Sequence, residues 1–388
     1  MTHTLGRRAA VTAAAAVVLA GIVTAAGPAS AATPGAPAAC TPSVDVLPSL
    51  PGRSGGEARA FGANALVAGD SGRLPVYWTG PEHTPHAVPL PEGFQEGLVT
   101  DVNAKGLMVG SVTRTSDGAT AAFTYRQGAA AVQLITAVST RSGAANVNDA
   151  GHVVALDDGV AKEWVDGKVV RELPVPADAH PSARIVSVSG INKRGDIVGT
   201  AHSEYYDAAN DETVSKTFPV VWPAGGGYPP YSLQIWNEGH WSWASYARDI
   251  DNNGRVVGYE HYGWRDDQQR TPALWKKPYD ALPTSPGKVA GYKQLTLEAI
   301  SPSTNVSVGT AMTFEEGFAQ YTQAALWSGK GAPLALPHPA GADRYARSSA
   351  RTVSDDDRVG GTYWDMSTVS GGPLVWNCAS RQAYAPQG

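Results

Sequence analysis

The sequence predicts an all-β fold, a seven-bladed β-propeller of four-stranded blades, on three observations. A turn motif of the form I/V-N-x-x-G recurs along the chain, a short apolar signature ending in an aromatic follows each copy, and no stretch outside the N-terminus keeps a helical period. The clearest turn copies are VTDVNAKGLMVGS (Val99 to Ser111), AANVNDAGHVVAL (Ala144 to Leu156), VSGINKRGDIVGT (Val188 to Thr200) and ARDIDNNGRVVGY (Ala247 to Tyr259). Weaker copies are RAFGANALVAGD (Arg59 to Asp70), EAISPSTNVSVGT (Glu298 to Thr310) and ARTVSDDDRVGGT (Ala350 to Thr362). The closing aromatics are Trp78, Tyr125, Trp164, Trp222, Trp275, Trp327 and Trp376, spaced 39 to 58 residues apart. A period in this range belongs to solenoids, propellers and arrays.

Each element of the repeat has a physical reading. Asn or Asp bonds its own backbone two residues on, and Gly takes the positive φ that a tight turn needs. The apolar V-V-G that follows starts a strand. Its closing Gly (69, 110, 199, 258, 309, 361) marks a place where backbones crowd; only the third copy differs, with Ala155. The aromatic signature is a second strand whose ring fills the gap between neighbouring sheets. A third strand follows in HAVPLP, AVQLIT, KVVREL, GYKQLTL and APLALP. With the strand before the turn, this makes four strands per copy.

Bulk composition bounds the function. The 388-residue chain carries a formal charge of −5 with 43 Gly, 28 Pro, 11 Trp and 15 Tyr. Arg7 and Arg8 precede the apolar run Ala9 to Ala26, and Ala29-Ser30-Ala31 is an A-x-A cleavage site. Residues 1–31 are read as a signal peptide and 32–388 as a single propeller domain, secreted and extracellular, with no later membrane span. Cleavage removes two positive charges and takes the formal charge to −7. With no basic run, nucleic acid is excluded as a partner. A monomer is expected. Cys40 and Cys378, alone in an oxidising compartment, are expected to pair.

The core I-N-x-x-G-x-V-V-G followed by A-F-L-W resembles the HAF-repeat family of predicted extracellular bacterial proteins. The matching residues are Val102, Asn103, Gly106, Val109 and Gly110 with Ala122 and Phe123, and Ile191, Asn192, Gly195, Ile197, Val198 and Gly199 with Val221 and Trp222. The resemblance spans nearly the whole chain after residue 31. The first, sixth and seventh copies depart from the turn motif, and the family's histidine before A-F is absent. It implies an extracellular repeat fold of propeller type and no particular activity.

Two stretches stand apart from the repeat. DIDNNGRVVGYE matches a calcium loop, D-x-[DN]-x-[DN]-G-x5-E, through Asp249, Asp251, Asn253 and Glu260. Sister copies share the turn but not the ligand set, and an extended VVGYE would carry Glu260 away at ~3.3 Å per residue. A plain turn is therefore expected and no cofactor, with calcium as the alternative. In the fourth copy, His202 to Lys216 reads as an extra polar loop. The segment after it carries Tyr231, Trp236, Glu238, His240, Trp241 and Trp243, joined by Trp264 beyond the next turn. These aromatics exceed one packing ring per blade, and flat rings beside carboxylates and amides suit a sugar or a peptide. No nucleophile elbow, zinc motif or phosphate loop is present. The reading is a non-catalytic binding or scaffold module for a glycan or protein. The alternative is a glycan-active hydrolase or lyase using Glu238 with Asp266 or Asp267.

The N-terminus supplies the last expectation. The strand at about Val44 to Leu50 lies before the first complete copy, and the last copy ends at GPLVWNC without an outer strand. Val44 to Leu50 is expected to pair with Gly372 to Trp376, closing the ring, with the Cys40–Cys378 bond in place of the missing turn. The rival is that the tail RQAYAPQG supplies that strand.

Overall fold

The architecture comes from a computed structural model, which describes residues 40–386 apart from 227–228, 237–241, 264–268, 316–318 and 344. Among them stand 27 strands, a 3-10 turn at Ala224–Gly226 and one helical turn, Ala379–Gln382. The strands form antiparallel meanders arranged in a propeller-like way. Sheet one runs Gly56–Phe61, Val67–Ser71, Leu74–Thr79, Thr84–Ala87. Sheet two runs Glu96–Val102, Leu107–Arg114, Ala119–Arg126, Gln133–Leu134, and sheet three runs Gly143–Val147, His152–Asp157, Val160–Val165, Lys168–Glu172. Sheet six runs Gln294–Ile300, Ser307–Glu315, Ala319–Trp327, Leu334–Ala335.

The fourth and fifth meanders share one seven-stranded sheet. The fourth comprises Arg184–Ile191, Ile197–Asp207, Glu212–Trp222 and Tyr231–Ser232. The fifth comprises Ser242–Ile250, Val256–Tyr262 and Gln269–Trp275. A short parallel pairing of Ser215 to Thr217 with Ser242 to Ala244 joins them. Two sequence expectations fail here. His202 to Lys216 is no loop: it continues two strands in register from Ile197↔Trp222 to Asp207↔Glu212. Polar side chains obscured an alternation that cross-strand pairing satisfies. GYKQLTL is no outer strand of the fifth copy either. Gln294–Ile300 is the inner strand of sheet six and pairs with Ser307–Glu315. Pro283 and Pro286 break the segment where the fifth outer strand would stand, leaving a single bridge between Leu274 and Thr284.

The seventh sheet has the order Ser43–Val46, Ser370–Asn377, Val359–Asp365, Arg347–Val353. Ser43 faces Asn377 and Val46 faces Leu374, and Leu47 N donates to Pro373 O at 2.9 Å. The N-terminal strand therefore pairs where expected, though it ends at Val46 rather than Leu50. Cys40 and Cys378 are bonded, their Cα atoms 5.9 Å apart. The tail lies elsewhere: Tyr384 bridges to Ala335 at the outer edge of sheet six. Sheet one packs against sheet seven, with Gly56–Phe61 contacting all three of its C-terminal strands.

The repeat residues explain this geometry. In each meander the inner strand slips register next to the closing residue of the second strand, as between Ala58 and Ala60 or Ala247 and Asp249. The slip lays a carbonyl over the closing glycine: a Cβ on Gly69 would collide with Glu57 O, and one on Gly258 with Tyr246 O. The aromatics close the spaces between sheets. Trp78, Trp275 and Trp376 are fully buried, while Trp327 is only partly so. Indole N–H groups reach back to the preceding outer strand: Trp222 to Pro174 O, Trp376 to Pro337 O, and Trp78 to Pro48 O on the N-terminal segment.

Candidate functional site

The inner strands end in the N-x-x-G turns on one face of the molecule, here the turn face. The hairpins joining second and third strands lie on the opposite, hairpin face. The turns of all seven meanders line one cavity of 430 Å³, among them Gly62, Asn103, Asn148, Asn192, Asn252, Pro302 and Asp355. The asparagines and aspartates at its turns are bonded mainly to backbone. Asn103 Oδ1 accepts Lys105 N and Leu107 N, while its Nδ2 donates to Asn148 O at 3.0 Å in the next meander. Asn148 repeats this onto Asn192 O, and Asn192 onto Asp251 O. The turn asparagine thus folds its own turn and fastens the next one. Asp251 keeps the turn through Asn253 N and Arg255 N but has no donor. There the link passes to Asn252 N, which donates to Pro302 O. Onward to the seventh turn, Asp355 accepts from Ser301 Oγ and Ser303 N.

Two carboxylates lie at the register slip of their inner strands. Asp101 accepts Val102 N and Val147 N, and Asp249 accepts Ile250 N at 2.7 Å and Ile300 N at 2.9 Å. Each spans to the next meander. Burial pushes Asp101 up to about 6 and Asp249 to about 7, against the pull of those amide bonds. One residue earlier, charges link inner strands across four meanders. Arg248 pairs with Glu298 at 2.9 Å, Arg351 lies between Glu298 and Glu57, and Arg59 bonds Glu57 at 2.6 Å and Asp70 at 3.2 Å. Sequence reading missed this arc, because its partners are some 50 residues or more apart. The recurrence of Arg two positions before the turn's apolar residue, at Arg59, Arg248 and Arg351, was the available signal.

The calcium-loop residues separate. Asp249 lies at the axial cavity, and Asp251 is buried against Arg255. Asn253 N serves the turn. Glu260 is on the extended strand Val256–Tyr262, opposite Ser245 and Thr271. It is 1 % exposed; Oε1 accepts Trp236 N at 2.9 Å and Oε2 has no partner among the described residues. Burial pushes its carboxyl up to about 7. No group of three metal-binding side chains occurs among the described residues.

The aromatic candidates divide between the faces. Tyr231 is 40 % exposed at the turn face, beside Tyr279, Pro278 and Lys277 around a cavity of 300 Å³. Trp236 packs on the cluster of Leu233, Ile250 and Trp275. Trp243 pairs through its main chain with Tyr262 and Lys216. Glu238, His240, Trp241 and Trp264, with Asp266 and Asp267, lie outside the described residues. Other residues of the hairpin face are exposed and apolar or aromatic: Tyr206, Tyr262, Tyr345, Trp364 and Val369. No helix among the described residues is long and apolar enough to cross a membrane.

No family model and no curated protein matches the sequence. Solved structures do resemble the fold. The β-propeller domain of the Trilobed protease from Pyrococcus furiosus, described as having an open velcro topology, aligns with TM-score 0.51 at 11% identity over 84% of this chain and 94% of that one. An acylaminoacyl peptidase aligns with TM-score 0.49 at 11% identity, covering 84% of this chain and 51% of that one. At such identity the likeness to the first establishes a β-propeller-like fold and nothing about activity.

Proposed function

We propose that this chain is a secreted, non-catalytic binding or scaffold module: a seven-bladed propeller of the HAF-repeat kind, its ring closed by the N-terminal strand and the Cys40–Cys378 bond. One observation carries the reading. The polar groups where the seven turns converge are spent on backbone amides and on one another, as Asn103, Asn148, Asn192, Asp101 and Asp249 show. Both oxygens of Asp101 and of Asp249 are taken up by backbone N–H groups, one in the residue's own meander and one in the next, which makes each carboxylate a staple between sheets. Such construction supports a rigid frame, with recognition left to loops and hairpins that differ between blades. The fourth and fifth blades differ most and carry the surplus aromatics, so a glycan or protein partner binds there.

The test is a glycan array and a pull-down from culture medium with the secreted protein, followed by a turnover assay on every ligand captured. Binding without turnover supports the reading. Cleavage of a captured glycan, lost in Glu238→Gln, replaces it with the hydrolase or lyase alternative.

A further inference from the structure

The fourth meander overshoots its neighbour on the hairpin face. Its second strand runs on from Gly199 to Asp207, whereas that of sheet three stops at Asp157, just past Ala155. At ~3.3 Å per residue the hairpin stands ~20 Å higher. Its face toward sheet three carries Ser203 and Tyr205 opposite Lys216 and Val214. Above sheet three that face has no strand to pack on. The segment after the third outer strand crosses it instead, with the His180 ring stacked on Tyr205 at 3.8 Å.

A cleft of 370 Å³ remains, lined by the apolar Phe218, Leu233 and Ile235 and by His180, Tyr205 and Lys216. This is near the lower limit for ligand pockets and suits one or two amino-acid residues. Lys216 is half-buried and has no carboxylate partner among the described residues. His180 Nδ1 accepts Ser182 N at 3.2 Å, which leaves the ring proton on Nε2. Asp178, also at the cleft, accepts Ser232 Oγ through Oδ1 at 3.3 Å, and among the described residues no other donor is placed on its carboxylate. The cleft thus combines a cation, an acceptor and an apolar lining.

We infer that the cleft takes the C-terminal end of an extended peptide whose last side chain is apolar. The free carboxylate meets Lys216, a peptide N–H meets Asp178, and the terminal side chain lies on Phe218, Leu233 and Ile235. A fatty acid lacks the N–H that Asp178 would accept, and an acidic sugar lacks the apolar body for that lining. The inference rests on the binding-module reading and narrows it to one cleft and one ligand chemistry.

The experiment is fluorescence anisotropy on the whole secreted protein with fluorescein-Gly-Ser-Gly-Ala-Leu-Phe as free acid and as C-terminal amide. The acid is expected to bind about tenfold or more tighter than the amide, as befits a partly desolvated charge-assisted contact. Lys216→Met should remove the preference, and Asp178→Asn should weaken both peptides, each with an unchanged far-ultraviolet circular dichroism spectrum. Equal affinity for acid and amide, no binding of either, or a preference that survives Lys216→Met overturns the inference. If neither peptide binds while the protein still captures a glycan or another protein, the cleft assignment falls and the module reading stands.

Discussion

Glu260→Gln is expected to make the protein more stable at neutral pH and to change it little in mild acid. Glu260 is almost completely buried, with one oxygen on Trp236 N and the other without a partner among the described residues. Its neighbour across the ladder is Ser245, whose buried hydroxyl also has no partner among the described residues. Burial raises the Glu260 carboxyl from 4.5 to about 7 in the folded state. The folded protein therefore holds the proton more tightly than the unfolded chain does. The stability this confers is present below pH ~4.5 and is lost as pH rises to about 7. Across that window the loss amounts to at most about 3.5 kcal/mol, at ~1.4 kcal/mol per unit.

Glutamine keeps an acceptor for Trp236 N and never ionises. Urea unfolding of both proteins at several values between pH 4.5 and 8 gives the difference in unfolding free energy. It should be near zero at the acid end and rise by about 2–3 kcal/mol in favour of Glu260→Gln by pH 8. Asp101 and Asp249 titrate in the same range, but their effects cancel in the difference. A difference that stays flat with pH would refute the claim that Glu260 carries a buried, perturbed proton.

Four further outcomes follow from the frame. Asn148→Asp keeps the turn acceptor but sets a carboxylate oxygen against Asn192 O, and should cost about 1–3 kcal/mol by urea unfolding. Gly258→Ala drives a methyl into Tyr246 O and should cost about 1–3 kcal/mol or more by the same assay, whereas Ala155→Gly should cost little. Mass analysis of secreted protein should give an N-terminus at Ala32 and no free thiol; a lipidated start at Cys40 would contradict both. Reducing the Cys40–Cys378 bond, whose ends are 338 positions apart in sequence, should lower the melting temperature while leaving the β circular dichroism band. The chain-entropy model puts the loss at no more than about 6 kcal/mol, and less where Ser43–Val46 already holds the terminus.

What the sequence disclosed and what it hid have a common physical origin. Motifs that act within one repeat were readable. The asparagine turn, the crowded glycine and the aromatic between sheets each leave the same residue at the same place in several copies, because each answers a local backbone constraint. The terminal strand was readable too, since its spacing to Gly69 copies the spacing from the first outer strand to Gly110. Features that arise between repeats were not. The Arg248–Glu298–Arg351–Glu57 arc uses positions that are Thr100 or Ser189 in other copies, so the recurring Arg marks only three copies and does not name its partners. The Nδ2 contacts of Asn103, Asn148 and Asn192 were hidden behind the turn role that explained the same residues.

The fourth hairpin was misread for a related reason. A strand in a repeat is recognised by one apolar face, and this one passes beyond the sheet that would bury it. Tyr205, Lys216 and Phe218 therefore alternate with His202, Glu204 and Tyr206 without a continuous apolar stripe. Strand pairing holds most of the overshoot: Ile197 to Asp207 pairs residue for residue with Glu212 to Trp222. An element extended past its packing partner adds little core, here chiefly Val214, yet it creates the uncovered face that the His180–Tyr205 stack only partly fills. In a frame whose repeated positions are committed to backbone, such a departure from the repeat is where binding specificity has room to arise.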